Sequence, residues 1–141
     1  MSVNIENNLP QIAARYRELQ EGSVHVGIFG GGELVMIARV QEYGAPAAGI
    51  PERSVYRVIA LEEQTAKEIK IIIIVGLDRG LDAETILARI GAYLTARVKD
   101  RIMSSVPPPN KPETLRRKAP ETRTLIDTGR MLGAVVFEVR T

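Results

Sequence analysis

The chain has 141 residues, 45% of them hydrophobic, which is enough for one buried core and makes a single domain the expected organisation. It has no cysteine, which excludes disulfide bonds and thiolate metal sites. The net charge is only +2, and apolar runs such as residues 71–75 are far shorter than the roughly 20 residues that cross a membrane. Residues 1–10 lack the basic and apolar regions of a secretory signal, so we expect a soluble protein made in the cytosol.

The first fifty residues predict a helix, a strand and a second helix. Apolar residues at helical spacing predict an amphipathic helix over residues 9–19, which Gly22 ends. Alternating apolar residues then predict a strand over residues 23–29. Helical spacing returns over residues 33–43, and the glycines and proline that follow predict an irregular loop at residues 44–50.

The middle of the chain predicts two long helices. Apolar spacing predicts one helix from residue 55 to a break at Gly76. The β-branched run at residues 69–75, judged alone, would favour a buried strand, but the spacing around it favours the helix. Asp82 is a typical N-cap for the next helix, whose apolar stripe continues to Ile102 before a series of prolines.

The proline-rich stretch that follows predicts a long, exposed and mobile loop over about residues 106–124, because prolines favour extended backbone and lack amide donors. Residues 1–96 carry a net charge of −3 and residues 97–141 a net charge of +5. Such an arm could bind phosphates or an acidic protein surface, or it could be a solvated loop, and charge alone does not choose. Much of the positive charge lies in Lys111, Arg116, Arg117, Lys118 and Arg123.

Regular secondary structure is expected again at the end of the chain. Asp127 is predicted to cap a short turn over residues 128–132, and Val135, Phe137 and Val139 are predicted to lie on one face of a last strand. Together these elements predict an α+β fold. A small antiparallel sheet packs against two long helices, and a long Pro-rich basic loop precedes the C-terminal strand.

No pattern in the sequence predicts catalysis, a cofactor or a metal. The single histidine, His25, lies on a predicted strand with no cysteine nearby, which makes metal ligation and histidine-dependent catalysis unexpected. The glycines at residues 27–32 lack the spacing of a nucleotide-binding loop. The triplet Asp-Thr-Gly at residues 127–129 is also found in aspartic proteases, but it occurs once here, and a helix cap is the favoured interpretation.

Four motifs follow one another along the chain. They are Val-Gln-Glu-Tyr-Gly at residues 40–44, Ile-Pro-Glu-Arg-Ser-Val-Tyr-Arg at residues 50–57, Pro-Pro-Asn with Thr-Leu and Arg-Lys within residues 108–118, and Leu-Ile-Asp-Thr-Gly at residues 125–129. In order and spacing, this series resembles the tail-completion and head-tail joining proteins of tailed bacteriophages. The second motif differs from that family's Ile-Pro-Ala-Arg-Pro-Phe pattern at residues 52, 54 and 55.

The resemblance implies a structural protein of the virion neck, assembled in the host bacterial cytoplasm, with no catalytic activity. It would form a homo-oligomeric ring, often a hexamer, around the channel through which DNA passes. Its partners would be further copies of itself, the tail terminator or tail tube, and head-closure or connector proteins. Closed rings of this kind use heterologous interfaces between neighbours.

Interface residues are predicted from the same motifs and from the basic arm. Alternatives remain for several of them, because arginines at helical spacing often lie on a solvated face and tyrosines often pack a loop onto the body of a protein. The predicted subunit or partner interface consists of Glu42, Tyr43, Arg53, Tyr56, Arg57, Asn110, Lys111, Arg116, Arg117, Lys118 and Asp127.

The competing function is non-specific nucleic-acid binding, in which the basic residues between 111 and 123 contact phosphates. Against it, only 4% of the residues are aromatic and no known nucleic-acid-binding motif is present. Enzymatic activity is the third candidate function, because no pair of a nucleophile and a base appears at a spacing suited to catalysis.

Overall fold

The computed structural model describes residues 9–121, 123–125 and 129–141. Over these ranges the chain forms seven α-helices and one two-stranded antiparallel sheet, as the α+β prediction requires. The elements are α1 (Leu9–Glu21), β1 (Ser23–Gly27), α2 (Glu33–Tyr43), α3 (Tyr56–Leu61), α4 (Glu63–Asp78), α5 (Ala83–Met103), α6 (Pro112–Lys118), α7 (Arg130–Ala134) and β2 (Val136–Arg140), with a 3₁₀ turn at Pro46–Ala48.

Helix α5 is the centre of the fold. Its first turn is capped by Asp82, whose Oδ1 accepts a hydrogen bond from the backbone N–H of Thr85 at 2.8 Å, as predicted. Hydrogen bonding from the Thr85 side chain, together with this backbone hydrogen bond, lowers the pKa of Asp82. The N-terminal half of α5 packs with α1 and α4, and its C-terminal half packs with α3 and the residues around Val135. One long helix therefore contributes to both clusters of buried side chains.

The sheet joins the two ends of the chain and lies on α5. Strand β1 pairs with β2 so that Ser23 is opposite Arg140 and Val26 is opposite Phe137. Phe137 and Val139 share one face, as the alternation predicts. The ring of Phe137 packs directly over Gly91 of α5, where a β-carbon would lie only 2.3 Å from the ring Cδ2. Glycine at this position lets the sheet approach the helix backbone.

The predicted helix over residues 55–76 is two helices. Glu62 adopts an extended conformation, with φ −67° and ψ 132°, and separates α3 from α4. The β-branched run at residues 69–75 is helical, as the spacing predicted. The predicted break at Gly76 is wrong, because α4 continues to Asp78 and Gly76 is buried against the side chain of Ile86.

The proline-rich segment differs from the exposed, extended loop expected over about residues 106–124. Residues 112–118 form α6, since Pro112 is at the first helical position, where its missing N–H costs nothing. Val106, Lys118 and Thr124 are buried, and the Thr124 hydroxyl donates a hydrogen bond to the Val106 carbonyl. A fully exposed, extended loop is therefore wrong for the helix at residues 112–118 and for the buried Val106 and Thr124. Residues 107–109 are exposed and Lys111 is extended, as expected for prolines. The mobility of the segment stays a prediction.

The turn before the last strand is also shifted. The helix runs over Arg130–Ala134 rather than residues 128–132, and Gly129 precedes it in a left-handed conformation with φ 79°. Asp127, its predicted cap, lies outside the described residues. None of the helices in the described ranges combines the length and the apolar character that a membrane crossing requires.

The packing of Phe137 on Gly91 gives a stability prediction. Gly91→Ala gains helix propensity of about 1 kcal/mol, but the added methyl group collides with a ring held between β2 and α5, and overpacking of this kind costs about 1–3 kcal/mol. We expect the variant to unfold at lower urea concentration than the wild type. Gly133→Ala is the matched control, because nothing lies within 4 Å of its β-carbon position, and it should be neutral or stabilising. Equal midpoints for the two variants would contradict this packing.

Candidate subunit interface

The carboxylate of Glu42 caps helix α3 from a distance of more than ten residues in sequence. Helix α3 has no side-chain cap from Val55, the residue that precedes it. Instead, Glu42 Oε2 accepts hydrogen bonds from the backbone N–H groups of Val55 at 2.7 Å and Tyr56 at 3.2 Å. Glu42 Oε1 accepts from the N–H of Arg57 at 3.0 Å and from the Ser54 hydroxyl at 2.8 Å. One buried carboxylate thus satisfies three N–H groups at a helix N-terminus.

These contacts determine the charge state of Glu42, which is only 6% exposed. Burial by itself raises the pKa of the carboxyl group, because it penalises the charged form. The hydrogen bonds from Val55, Arg57, Ser54 and Tyr56 together outweigh burial, so that the pKa is lowered overall. The group is therefore an anion at neutral pH. Burial and the nearby Glu42 charge both raise the pKa of Tyr56.

Arg53 connects the second motif to the proline-rich segment. Its guanidinium Nε donates to the carbonyl oxygen of Pro108 at 2.8 Å, and Nη2 donates to that of Pro109 at 3.3 Å. Nη1 donates to Gln41 Oε1 at 3.4 Å, and the Arg53 backbone N–H donates to the Gln41 carbonyl at 2.7 Å. Burial lowers the pKa of Arg53. Prolines leave their carbonyl oxygens available as acceptors, and the buried guanidinium uses two of them.

Gly44 allows the chain to turn from the first motif into the second. Its φ of 75° lies in the left-handed region, and a β-carbon there would come within 2.9 Å of the backbone nitrogen of Glu52. The Ala45 N–H then donates to the Ile50 carbonyl at 2.9 Å and closes the loop between the motifs. A side chain at position 44 would separate the two segments that Glu42 joins.

The outer surface of this site carries Tyr43 and Arg57. The guanidinium of Arg57 lies over the ring of Tyr43, 4.7 Å from its centroid, while Nη2 donates to the Glu42 carbonyl at 3.0 Å. Arg57 also forms an ion pair with Glu52, which is exposed. Tyr43 is 59% exposed even though it stacks on Arg57. Glu42 and Arg53 are buried, so their part in an interface would be to position Tyr43 and Arg57.

The basic residues of the predicted arm are divided between surface and interior. Lys111, Arg116 and Arg117 are exposed. Lys118 is buried, and its Nζ donates to the carbonyl oxygen of Arg123 at 2.8 Å. The guanidinium of Arg123 forms an ion pair with Glu121 at 2.8 Å. Part of the charge of the arm is therefore used inside the subunit.

Two other predicted residues have different outcomes. Asn110 is half-buried beside the prolines that Arg53 contacts, and Asp127 lies outside the described residues. Of the predicted set, the structure brings together Glu42, Tyr43, Arg53, Tyr56 and Arg57. Arg117 and Lys118 of α6 line a pocket together with Gln41 and Asn110.

Sequence reasoning missed three contributors to the site. Gln41 and Ser54 lie within the quoted motifs but were not selected, although their neighbours were. Arg101 of α5 donates from Nε to the Ser54 carbonyl at 2.9 Å. No sequence signal connects Arg101 to residue 54, because the contact depends on how α5 packs against the loop.

The described residues contain no group of three His, Asp or Glu side chains that could hold a metal ion. His25 contacts the Ser23 hydroxyl at 3.0 Å on β1. No protein-family model, curated protein or solved structure matches this chain. Inferences about function therefore depend on the geometry of this site and on the motif resemblance.

The capping role of Glu42 predicts a large loss of stability on neutralisation. Glu42→Gln keeps the side-chain shape but removes the charge and turns an NH₂ group toward N–H donors. We expect the free energy of unfolding, measured with urea at neutral pH, to fall by about 2–3 kcal/mol. The matched control is Glu52→Gln, which neutralises an exposed partner of the same Arg57 and should change stability by less than about 0.5 kcal/mol. A Glu42→Gln effect no larger than this control would exclude the capping role.

The lowered pKa of Glu42 predicts how this difference depends on pH. In the folded protein the carboxylate stays charged to lower pH than in the unfolded chain, where the ordinary value is 4.5. Its contribution is therefore fully present above the unfolded pKa and is lost as the pH falls through the folded pKa. The stability difference between the wild type and Glu42→Gln should be constant well above pH 4.5 and should shrink as the pH falls below this value. A difference that stays constant below this value would mean that the charge does not stabilise the fold.

Proposed function

We propose that this chain is a structural subunit of a bacteriophage neck, where it completes the tail and joins it to the head as part of a ring around the DNA channel. The observation that carries the proposal is the convergence of three resemblance motifs at one site. Glu42 of the first motif binds the backbone of the second, and Arg53 of the second binds Pro108 and Pro109 of the third. Motifs that are separate in sequence are therefore hydrogen-bonded to one another in the folded chain.

The exposed part of the site has the chemistry of an interface. Arginine and tyrosine are enriched at the centres of protein interfaces, because both offer large contact areas and directed polar groups. Here Tyr43 and Arg57 are stacked on each other and held from below by the buried Glu42, so that little conformational entropy is lost when a neighbour binds them. A pre-ordered pair of this kind favours a neighbouring subunit as the ligand.

An apolar groove extends from this pair along the junction of β1 and α2. Its lining includes the apolar side chains of Val26, Ile28, Val35 and Ala38 together with Tyr43 and Arg57. Because the described sheet has two strands, each strand has one edge without a described neighbouring strand. A segment of an adjacent subunit could add to such an edge by backbone hydrogen bonds while its side chains enter the groove.

A ring would place this surface of one subunit against a different surface of the next, since closed cyclic assemblies use heterologous contacts. In the proposed neck, the same ring would also contact the tail terminator or tail tube on one side and head-closure or connector proteins on the other. The exposed basic residues Lys111, Arg116 and Arg117 suit acidic surfaces of such partners.

The alternative is non-specific nucleic-acid binding, and one observation favours it. The last turn of α6 carries three consecutive basic residues, 116–118. However, Lys118 is buried and Arg123 is paired with Glu121, which reduces the charge that phosphates could meet. Affinity for duplex DNA that falls steeply with salt concentration would favour this alternative, whereas an assembly that tolerates salt would favour the neck subunit.

The neck proposal is tested by imaging phage particles made without this gene, in negative stain. We expect separate DNA-filled heads and finished tails, and intact virions would remove the proposal. Complementation with Tyr43→Ala should lower the yield of joined particles at least roughly tenfold, because the exposed ring is lost from the interface. Tyr16→Ala removes another exposed tyrosine, from α1, and is the matched control, which should complement normally.

A further inference from the structure

Helix α4 carries an apolar stripe on its solvent side. Lys67, Ile71, Ile74 and Asp78 follow one another at intervals of four, three and four residues, which places them on one face of the helix. All four are exposed, with 51% of Ile71 and 55% of Ile74 accessible. We call these four residues the α4 stripe.

The opposite side of α4 already supplies the core. Ile69, Ile72, Ile73 and Leu77 pack against the cluster formed by α1 and α5. A helix on the surface of a monomer normally shows polar residues on its outer face, and a helix that is apolar on both sides is normally covered on both sides. Two adjacent isoleucines are each about half exposed on the outer face, between a lysine and an aspartate, so a partner that covered them would bury apolar surface.

The order of residues in the α4 stripe identifies that partner. From N- to C-terminus the stripe runs cation, apolar, apolar, anion, and its two halves have equal spacing. A two-fold axis perpendicular to the helix, between Ile71 and Ile74, would place Ile71 of one copy on Ile74 of the other. The same axis would place Lys67 of each copy beside Asp78 of the other. We propose that the α4 stripe binds a second copy of this chain, with the two α4 helices antiparallel.

Charge determines the direction of the pairing. In a parallel pair, Lys67 would lie beside Lys67 of the other copy and Asp78 beside Asp78. The two copies would then repel each other at both ends of the contact. In the antiparallel pair, Lys67 of each copy faces Asp78 of the other, so opposite charges attract at both ends. Within one chain, Lys67 contacts Glu63 at 3.1 Å, but both side chains are largely exposed, and such a pair contributes little. Lys67 can therefore turn toward the Asp78 of a second copy at small cost.

The size of the contact determines its strength. The α4 stripe spans three helical turns, about 16 Å. A contact of this length along one helix buries less surface than the roughly 800 Å² per partner of a typical stable interface. The dimer should therefore form in a concentration-dependent way. It does not depend on the proposed neck function, because α4 is separate from the Glu42 site. A two-fold contact cannot close a ring by itself, although it could pair two rings.

The test is sedimentation of the full-length protein over a concentration series, with single charge reversals. We expect the wild type to shift toward a dimer as concentration rises. Lys67→Glu places two anions together at both ends of the pair, and Asp78→Lys places two cations together, so each variant alone should associate at least roughly tenfold more weakly. An equimolar mixture of the two variants should recover association, because each reversed charge then faces its opposite in a heterodimer.

Controls separate this contact from general charge effects and from misfolding. Arg79→Glu makes the same charge change next to the α4 stripe but on another side of the helix, and it should associate like the wild type. The double variant Ile71→Ser with Ile74→Ser should be monomeric with an unchanged circular dichroism spectrum. Leu61→Ser, which removes a more exposed apolar residue from α3, should still associate.

Three results would overturn the proposal. They are a wild type that stays monomeric at every concentration, an association that the charge reversals leave unchanged, and a mixture of the two variants that fails to recover. A salt-stable ring that persists in the α4 variants would leave the neck proposal intact while excluding this contact, so the two failures can be told apart.

Discussion

The burial of one carboxylate on the N-terminus of a short helix is the constraint on which this part of the structure depends. Helix α3 has only six residues and lacks a local cap, so its N–H groups need an acceptor from elsewhere in the chain. Glu42 supplies it, and in return those N–H groups keep the carboxylate charged in spite of its burial. Neither partner is stable in this environment without the other.

This constraint has a consequence for the surface above it. Because Glu42 and Arg53 are held inside, Tyr43 and Arg57 are fixed on the outside at a definite distance from each other. The motifs that resemble phage neck proteins thus supply both a buried support and an exposed contact. In the proposed interface, the pre-ordering of Tyr43 and Arg57 would reduce the conformational entropy lost on binding.

Helix α5 separates this site from the second surface. Its N-terminal half holds α4 through the cluster around Ile86, and its C-terminal half supports the loop before α3 through Arg101. Both surfaces therefore belong to elements that pack against α5, but their chemistry differs. One carries a stacked arginine and tyrosine, and the other carries two exposed isoleucines between a lysine and an aspartate.

Local periodicity in the sequence determined α1, α2, α5, both strands and the α+β class, because side-chain spacing and capping act within a few residues. The motifs that carry the resemblance also singled out Glu42, Arg53 and Arg57. Only the tertiary structure decided that Glu42 caps α3, that Arg53 binds Pro108, that the helix breaks at Glu62 rather than Gly76, and that residues 112–118 are helical. The first two of these features depend on contacts between residues 13 and 55 positions apart, which no pattern within a few residues of sequence reports.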